Sequence, residues 1–460
     1  MQTLFEHQKK SVSLFDSLPR AMDTSDPGTG KTRVQIEVFA SRRSKGEGAA
    51  LVIAPKSLLK SAWEDDFKKF APQLRISIAS AINRTEAFKQ RADVYVTNTD
   101  AAKWLAQQKP PFFNGFDTLI IDEISAFKHR TSARSKALNK IKRYFKYRYG
   151  LTGTPRANTI TDLWHPYFII DDGKRLGASF WAFRSEVCTP QQVGPLPTMV
   201  KWLDKPGSDL AVASLLSDVT VRHKLEECLD IPENYLYTVQ YHMEPKQLAK
   251  YKDMERDAIT LVDRTTVTAV NAAVVMGKLL QIASGSVYTD EFEKAVKKIA
   301  GISNGRASMV CDLIEERQNS LVFFSWTHQR DALIEELNSR GLTWCLIDSS
   351  VTDKKRNEAV THFQSGFYKV MLAHPQSAAH GLTLTRGTST IWASPTHNLE
   401  HFLQGNRRIY RAGQTEKTET VVVIAANTIE QIIYDKMLAK DAKQTRLLEV
   451  FQDVTNETTV

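Results

Sequence analysis

Little in this chain could staple it, anchor it or stiffen it. Its four cysteines, Cys188, Cys228, Cys311 and Cys345, lie far apart and fit neither a zinc spacing nor a disulfide framework. No apolar run approaches the roughly 18 residues of a membrane span, and the longest, Leu321–Trp326 and Val421–Ala426, are strand-sized. The first residues, Met1–Ser11, hold no apolar signal segment. Glycine (21) and proline (16) are at ordinary levels, which excludes collagen-like and low-complexity readings. These absences read as a reduced, soluble, intracellular chain, cytoplasmic and without a membrane partner. Acid is missing locally. From Ile124 to Thr161 there is no Asp or Glu, against ten cations: Lys128, Arg130, Arg134, Lys136, Lys140, Lys142, Arg143, Lys146, Arg148 and Arg156. A run so biased, in a chain of net charge +9, favours a phosphate-facing surface over a merely solvated helix face.

What is present is a pattern used twice. At 460 residues the chain exceeds one compact core. Ala50–Ala54, Val94–Thr97, Thr118–Asp122 and Arg148–Thr152 read as buried parallel strands separated by helical stretches such as Ser57–Phe70. Ser320–Ser325, Thr343–Asp348, Tyr368–Leu372, Thr390–Trp392 and Glu419–Ala425 repeat the arrangement. Between them strand signals thin out and helical ones dominate, as in Gln247–Val262 and Val267–Ile282. The expected fold is α/β, with two RecA-like parallel-sheet lobes at 1–172 and 301–428. Helical insertions and a linker at 173–300 separate them, and a helix from Ile429 to Phe451 with its tail fills 429–460.

Asp26-Pro27-Gly28-Thr29-Gly30-Lys31-Thr32 is the sharpest local signal. Glycines let the backbone wrap so that successive N–H groups face phosphate oxygens, and the following helix adds its N-terminal dipole. Lys31 would reach the β/γ-phosphates and the Thr32 hydroxyl would ligand Mg2+. Ser25 stands where the strict motif has glycine. About ninety residues on, Phe116–Glu123 is an apolar strand ending in two carboxylates. There Asp122 can hold the metal and Glu123 can polarise an attacking water. The first lobe therefore reads as a nucleoside triphosphate site. Far downstream, Gln404, Arg408 and Arg411 recur at offsets of four and three, one face of a helix. Guanidiniums so placed suit the charge that develops on a transferring γ-phosphoryl group.

With these motifs in order, the sequence resembles superfamily-two helicases, and within them the Swi/Snf-type ATP-dependent DNA translocases, in a compact phage- or bacterial-like form. Leu4–Gln8 is similar to the Q motif, Leu51–Leu59 with Trp63 to motif Ia, and Val94–Asp100 to motif Ib. Leu151–Pro155 is similar to motif III, Arg222-His223-Lys224 to the interlobe segment, and Phe323–Ser325 to motif IV. Ala379–Leu384 and Asn398 through Gln414 are similar to motifs V and VI. The resemblance implies ATP and Mg2+ as cofactors, with Gln8 reading adenine. It implies nucleic-acid phosphate contacts at Lys56, Thr97, Ser325 and Thr383. Coupling falls to Thr152, Gly153, Thr154 and Gly381, and catalysis to Lys31, Glu123, Gln404, Arg408 and Arg411. DNA, whether duplex, forked or branched, is the implied partner ahead of RNA, and the acting form is read as a monomer. A branch-migrating or annealing helicase is the alternative, an RNA helicase a more distant one. Departures are Ser125 in the acidic box, Arg156-Ala157 after motif III, and His397 where tryptophan is common.

Overall fold

The computed structural model describes residues 3–156, 158–194, 196–264, 269–293, 296–378 and 382–457. Two compact units divide the chain, the first made of 1–230 with 440–460 and the second of 231–439.

Unit 1 is built on a seven-stranded parallel sheet. Its strands are β1 (Arg20–Asp23), β2 (Ala49–Ala54), β3 (Ile76–Ala79), β4 (Val94–Asn98), β5 (Phe116–Asp122), β6 (Tyr147–Leu151) and β9 (Thr220–Val221), in the order β3-β4-β2-β5-β6-β1-β9. Both faces are covered. On one, Val52, Val96 and Ile120 pack with Phe15, Phe39, Trp63 and Phe67 from the helices. On the other, Leu51, Leu119 and Ile121 pack with Leu138, Trp164, Tyr167 and Phe183. Burial on two sides is why these strands are near-continuous apolar runs. An antiparallel hairpin, β7 (Cys188–Gln192) and β8 (Val200–Asp204), lies between Phe180–Val187 and the helix Ser208–Leu216.

Unit 2 carries a six-stranded parallel sheet and an antiparallel pair. The strands are β10 (Asn234–Tyr241), β11 (Ser286–Glu293), β12 (Val296–Gly301), β13 (Ser320–Phe323), β14 (Trp344–Ile347), β15 (Val370–Ala373), β16 (Ser389–Trp392) and β17 (Thr418–Ala425). The sheet order is β10-β17-β16-β13-β15-β14, with β11 and β12 paired separately. Two cores flank the sheet, one around Leu333, Val370 and Val423 and the other around Phe323, Phe363 and Trp392. Beneath the first, Arg306 and Glu430 form a fully buried ion pair with two parallel hydrogen bonds of 2.7 and 2.6 Å.

The α/β character and both sheets match the reading from sequence. Residues 173–230 fall in unit 1 and 231–300 in unit 2. Strands β7 to β12 all lie in the stretch read as helical. Most of β7 and β10 is exposed, so neither shows the apolar run that marks a buried strand. The two expected helices there are found as Pro245–Arg264 and Ala269–Ala283. The terminal helix runs Ile429–Glu457; Tyr434 and Met437 join a core of unit 2, and Leu447, Leu448 and Phe451 join that of unit 1.

The ten-cation run also divides. Lys142, Arg148 and Arg156 are buried, the first two against Asp172 and the third against Asp204 of β8. These three are structural ions and face no phosphate. Burial alone would raise the Asp172 carboxyl, but hydrogen bonds and charge from Arg148 and Lys142 outweigh it and hold the group well below the usual carboxylate range. A lowered carboxylate contributes stability that is fully present above its unfolded pKa of roughly 4 and is lost as pH falls through the folded value. Asp172→Asn is therefore expected to cost about 2 kcal/mol at pH 7, a half-exposed acid's share of a broken buried pair. Thermal unfolding should show that gap closing below about pH 4; a gap independent of pH would contradict the assignment.

Candidate active site

In unit 1 the chemistry-bearing residues sit at the C-terminal ends of the parallel strands, where open α/β sheets bind ligands. Strand β1 ends at Asp23, whose carboxylate accepts from Ser25 N at 2.9 Å and turns the chain into the loop. Gly28 and Gly30 hold φ of 95° and 90°, conformations that glycine adopts without steric cost. Gly30 caps the fourteen-residue helix Lys31–Ser44, whose unpaired N–H groups open onto the loop. Lys31 Nζ lies over the loop, donating to Ser25 O at 2.6 Å and Asp26 O at 3.1 Å.

Two neighbours brace this loop. From the first helix, Gln8 Nε2 donates to Thr29 O at 3.1 Å, while Gln8 Oε1 accepts from Phe5 N. A Cβ on Gly30 would collide with that same amide nitrogen. Gln8 thus has both ends of its amide engaged by protein and braces the loop backbone. The second brace follows β9. Arg222 Nη2 pairs with Asp26 Oδ1 at 2.6 Å, Leu225 N donates to Asp26 Oδ2, and His223 N donates to Ser25 Oγ. Asp26 is thereby a clamp for the loop. Sequence reading had no signal for this, because the partners are 196 residues apart. Arg222→Ala would strand a buried carboxylate inside the loop, and about 3 kcal/mol of unit 1 stability is expected to go with it. A Tm unchanged by that substitution would show that the pair holds nothing.

A cavity of about 350 Å³ is lined by Phe5, His7, Lys10, His223, Cys228 and Gln452 among others. His7 Nε2 touches Thr29 O at 2.8 Å, and its ring meets His223 edge-on at 5.4 Å. Burial pulls the His223 imidazole down to about 4, so it is neutral at pH 7.

At the end of β5, Asp122 is buried and accepts from Trp63 Nε1 at 2.9 Å. Burial raises its carboxyl, opposed by the Trp63 hydrogen bond and by the charge of Lys31. Glu123 follows with φ 49° and ψ 55°, a left-handed backbone that a non-glycine residue adopts at a cost of about 1–3 kcal/mol. Thr152 Oγ1 reaches Glu123 Oε2 at 3.5 Å and accepts from Thr154 N at 3.2 Å. A Cβ on Gly153 would press on Pro27 Cδ at 2.9 Å. The Thr152–Thr154 segment therefore lies against both the Glu123 carboxylate and Pro27 of the loop. The unusual Arg156 just after that segment is anchored to the hairpin by Asp204 and to Lys443 O.

Other expected contacts fare unequally. Lys56 is exposed just beyond β2, and Thr383 is exposed. Ser325 is half-buried, with its N–H donating to Gln329 Oε1 at 2.9 Å. Thr97 is fully buried and its hydroxyl donates to Ala79 O at 2.6 Å, closing a strand end. Gly381 lies outside the described residues.

In unit 2 the helix Leu399–Asn406 ends before the arginines, so the one-face helical reading of Gln404, Arg408 and Arg411 is corrected. The following turns are held by Gln414, which donates to Thr385 O and Gly387 O. The arginines nevertheless converge: Arg408 Nη1 and Arg411 Nη1 both donate to Leu382 O, at 3.3 and 2.7 Å. Gln404 is buried, and its Oε1 has no hydrogen-bond partner among the described residues.

Comparison with known proteins bears on this arrangement. Residues 7–286 match the SNF2-related domain and residues 305–413 the Helicase conserved C-terminal domain. The chain belongs to the SNF2 family. It is 27% identical over 445 residues to the p41 protein of Acyrthosiphon pisum secondary endosymbiont phage 1, covering 92% of this chain and 93% of that one. The uncharacterized ATP-dependent helicase MG018 of Mycoplasma genitalium is 25% identical over 94% of this chain and 41% of its own length. The ATP-dependent helicase/translocase YwqA of Bacillus subtilis is 24% identical over 93% and 46%. The chain thus spans nearly all of the phage relative and under half of these two helicases. Among solved structures, the Sulfolobus solfataricus SWI2/SNF2 ATPase core in complex with dsDNA is similar over 99% of this chain and 95% of that one, with 23% identity and a TM-score of 0.45. No helix among the described residues of this SNF2-family chain is long and apolar enough to cross a membrane.

Proposed function

We propose that this chain is a DNA-stimulated ATPase that converts ATP hydrolysis into movement along duplex DNA. The observation that carries the reading is the meeting, within unit 1, of Lys31, Asp122 and Glu123 with Thr152 of the motif III segment. The glycine turns and the helix N-terminus receive the phosphates, with Lys31 leaving the carbonyls of Ser25 and Asp26 for the β/γ-phosphate oxygens. The cavity beside His7 and His223 takes the base.

Mg2+ fits the donor set. Asp122 is a buried carboxylate raised by desolvation, the condition that a divalent cation relieves, and Thr32 lies in the first turn of the helix that follows the loop. Thr32 and Asp122 would hold the ion, which when bound neutralises phosphate charge. Glu123 orients the attacking water and takes its proton. Arg408 and Arg411 supply guanidinium charge to the transferring phosphoryl group. Thr152 reports the state of Glu123 to the motif III backbone, and nucleic-acid contact at Lys56, Ser325 and Thr383 changes with it. Contacts of this kind go to the sugar-phosphate backbone and give sequence-tolerant movement.

The test is the ATPase rate with duplex DNA, single-stranded DNA and RNA over a salt series. Stimulation is expected with duplex DNA, falling as salt rises. A rate indifferent to every nucleic acid would remove the motor reading.

A further inference from the structure

Some exposed cations on the helices of this chain are paired with acids within one turn. Lys9 meets Glu6, Lys68 meets Glu64, Lys89 meets Glu86, and Lys252 meets Glu255. The helix Ala133–Ile141 and the turn Lys142–Tyr144 lie inside the acid-free run from Ile124 to Thr161, where no such pairing is open to them in sequence. Ser135, Ala137, Leu138 and Ile141 face the core. Lys136, Lys140 and Arg143 are exposed at spacings of four and three, a single stripe on the outer side. Among the described residues none of the three has a carboxylate within 4.0 Å, and the same holds for Arg134.

The topology says where the stripe leads. Strands β5 and β6 are parallel neighbours, so the helix joining them runs from the motif-bearing strand ends back towards the opposite edge of the sheet. Arg130 lies at its near end, stacked on Phe180 and Trp181 at 4.5 and 4.6 Å. Lys140 and Arg143 lie at its far end. The cations therefore descend the flank of unit 1, away from the ATP site and from Lys56. A seven-residue stripe rises about 10 Å, the reach of about three phosphates along one strand at roughly 3.4 Å each.

We propose that this flank is a second DNA site, which holds the phosphate backbone of an additional duplex arm while the motif edge engages the first. The partner is duplex DNA, chosen by charge complementarity: a row of exposed cations with no carboxylate beside them, on a helix and the turn that follows it, matches a regular polyanion. The inference rests on the DNA-motor reading above and narrows its substrate to branched DNA.

The test compares wild-type protein with Lys136→Ala/Lys140→Ala/Arg143→Ala, exposed positions at which alanine keeps the helix. Anisotropy is read on a four-arm junction and on a short linear duplex across a salt series. The triple variant is expected to lose junction affinity and about 3 from the salt slope, at ~0.9 per phosphate. Linear-duplex binding and duplex-stimulated ATP hydrolysis should stay as in the wild type, with an unchanged circular dichroism spectrum. Unaltered junction binding would overturn the proposal and leave a solvated face. An equal loss on the linear duplex would also overturn it, placing the stripe on the primary track. If the wild-type protein binds neither DNA, the motor reading itself falls and the second site with it.

Discussion

Lys31→Ala is expected to lower the ATP hydrolysis rate by about 10²–10³-fold or more, the effect of removing one preorganised donor aimed at developing charge. Among the described residues the side chain makes no ion pair; its ammonium rests on the carbonyls of Ser25 and Asp26. Its loss should leave thermal unfolding nearly unchanged while removing positive charge from the phosphate loop. A second consequence falls on Asp122. Lys31 is one of the influences that lower that buried carboxyl, so the substitution should push it further up and weaken it as a metal ligand. Steady-state hydrolysis with saturating DNA and Mg2+ is the measurement. A variant turning over at the wild-type rate would remove the phosphate assignment.

Arg411→Ala should act differently. Its guanidinium is held by Leu382 O, in the segment that carries Thr383, and belongs to unit 2, whereas the phosphate loop belongs to unit 1. Nucleotide binding is expected to survive within a few-fold and kcat to fall by about 10³-fold or more, the range of an arginine that stabilises phosphoryl transfer. Arg411→Lys should recover little, because an ammonium lacks the planar fork. Binding by a fluorescent ATP analogue, set beside single-turnover hydrolysis, separates the two steps. Loss of binding with intact turnover would contradict the role.

The parts of this site that were readable in advance are contiguous in sequence. Asp26–Thr32 and Asp122-Glu123 carry their own turn and strand signals, so their chemistry is visible without knowing the fold. The Arg222–Asp26 pair and the Trp63–Asp122 hydrogen bond join distant segments, and nothing local announces them. Strands β1 and β3, of four residues each, are too short to stand out from their flanks. The arginine segment misled for a different reason. A spacing of four and three is what a helix would give, but side chains on a turn tied down by Gln414 also converge on one carbonyl. Charge counting erred in kind, since three of ten cations in the basic run serve the interior.

The left-handed backbone at Glu123 has a consequence for the evolution and handling of this protein. Glycine at that position would relieve the torsional penalty, about 1–3 kcal/mol, while deleting the carboxylate. On the role proposed for Glu123, the variant that no longer turns over would then be the sturdier one. Selection for expression or heat resistance alone would drift towards silence here, and only selection on turnover keeps the residue in place.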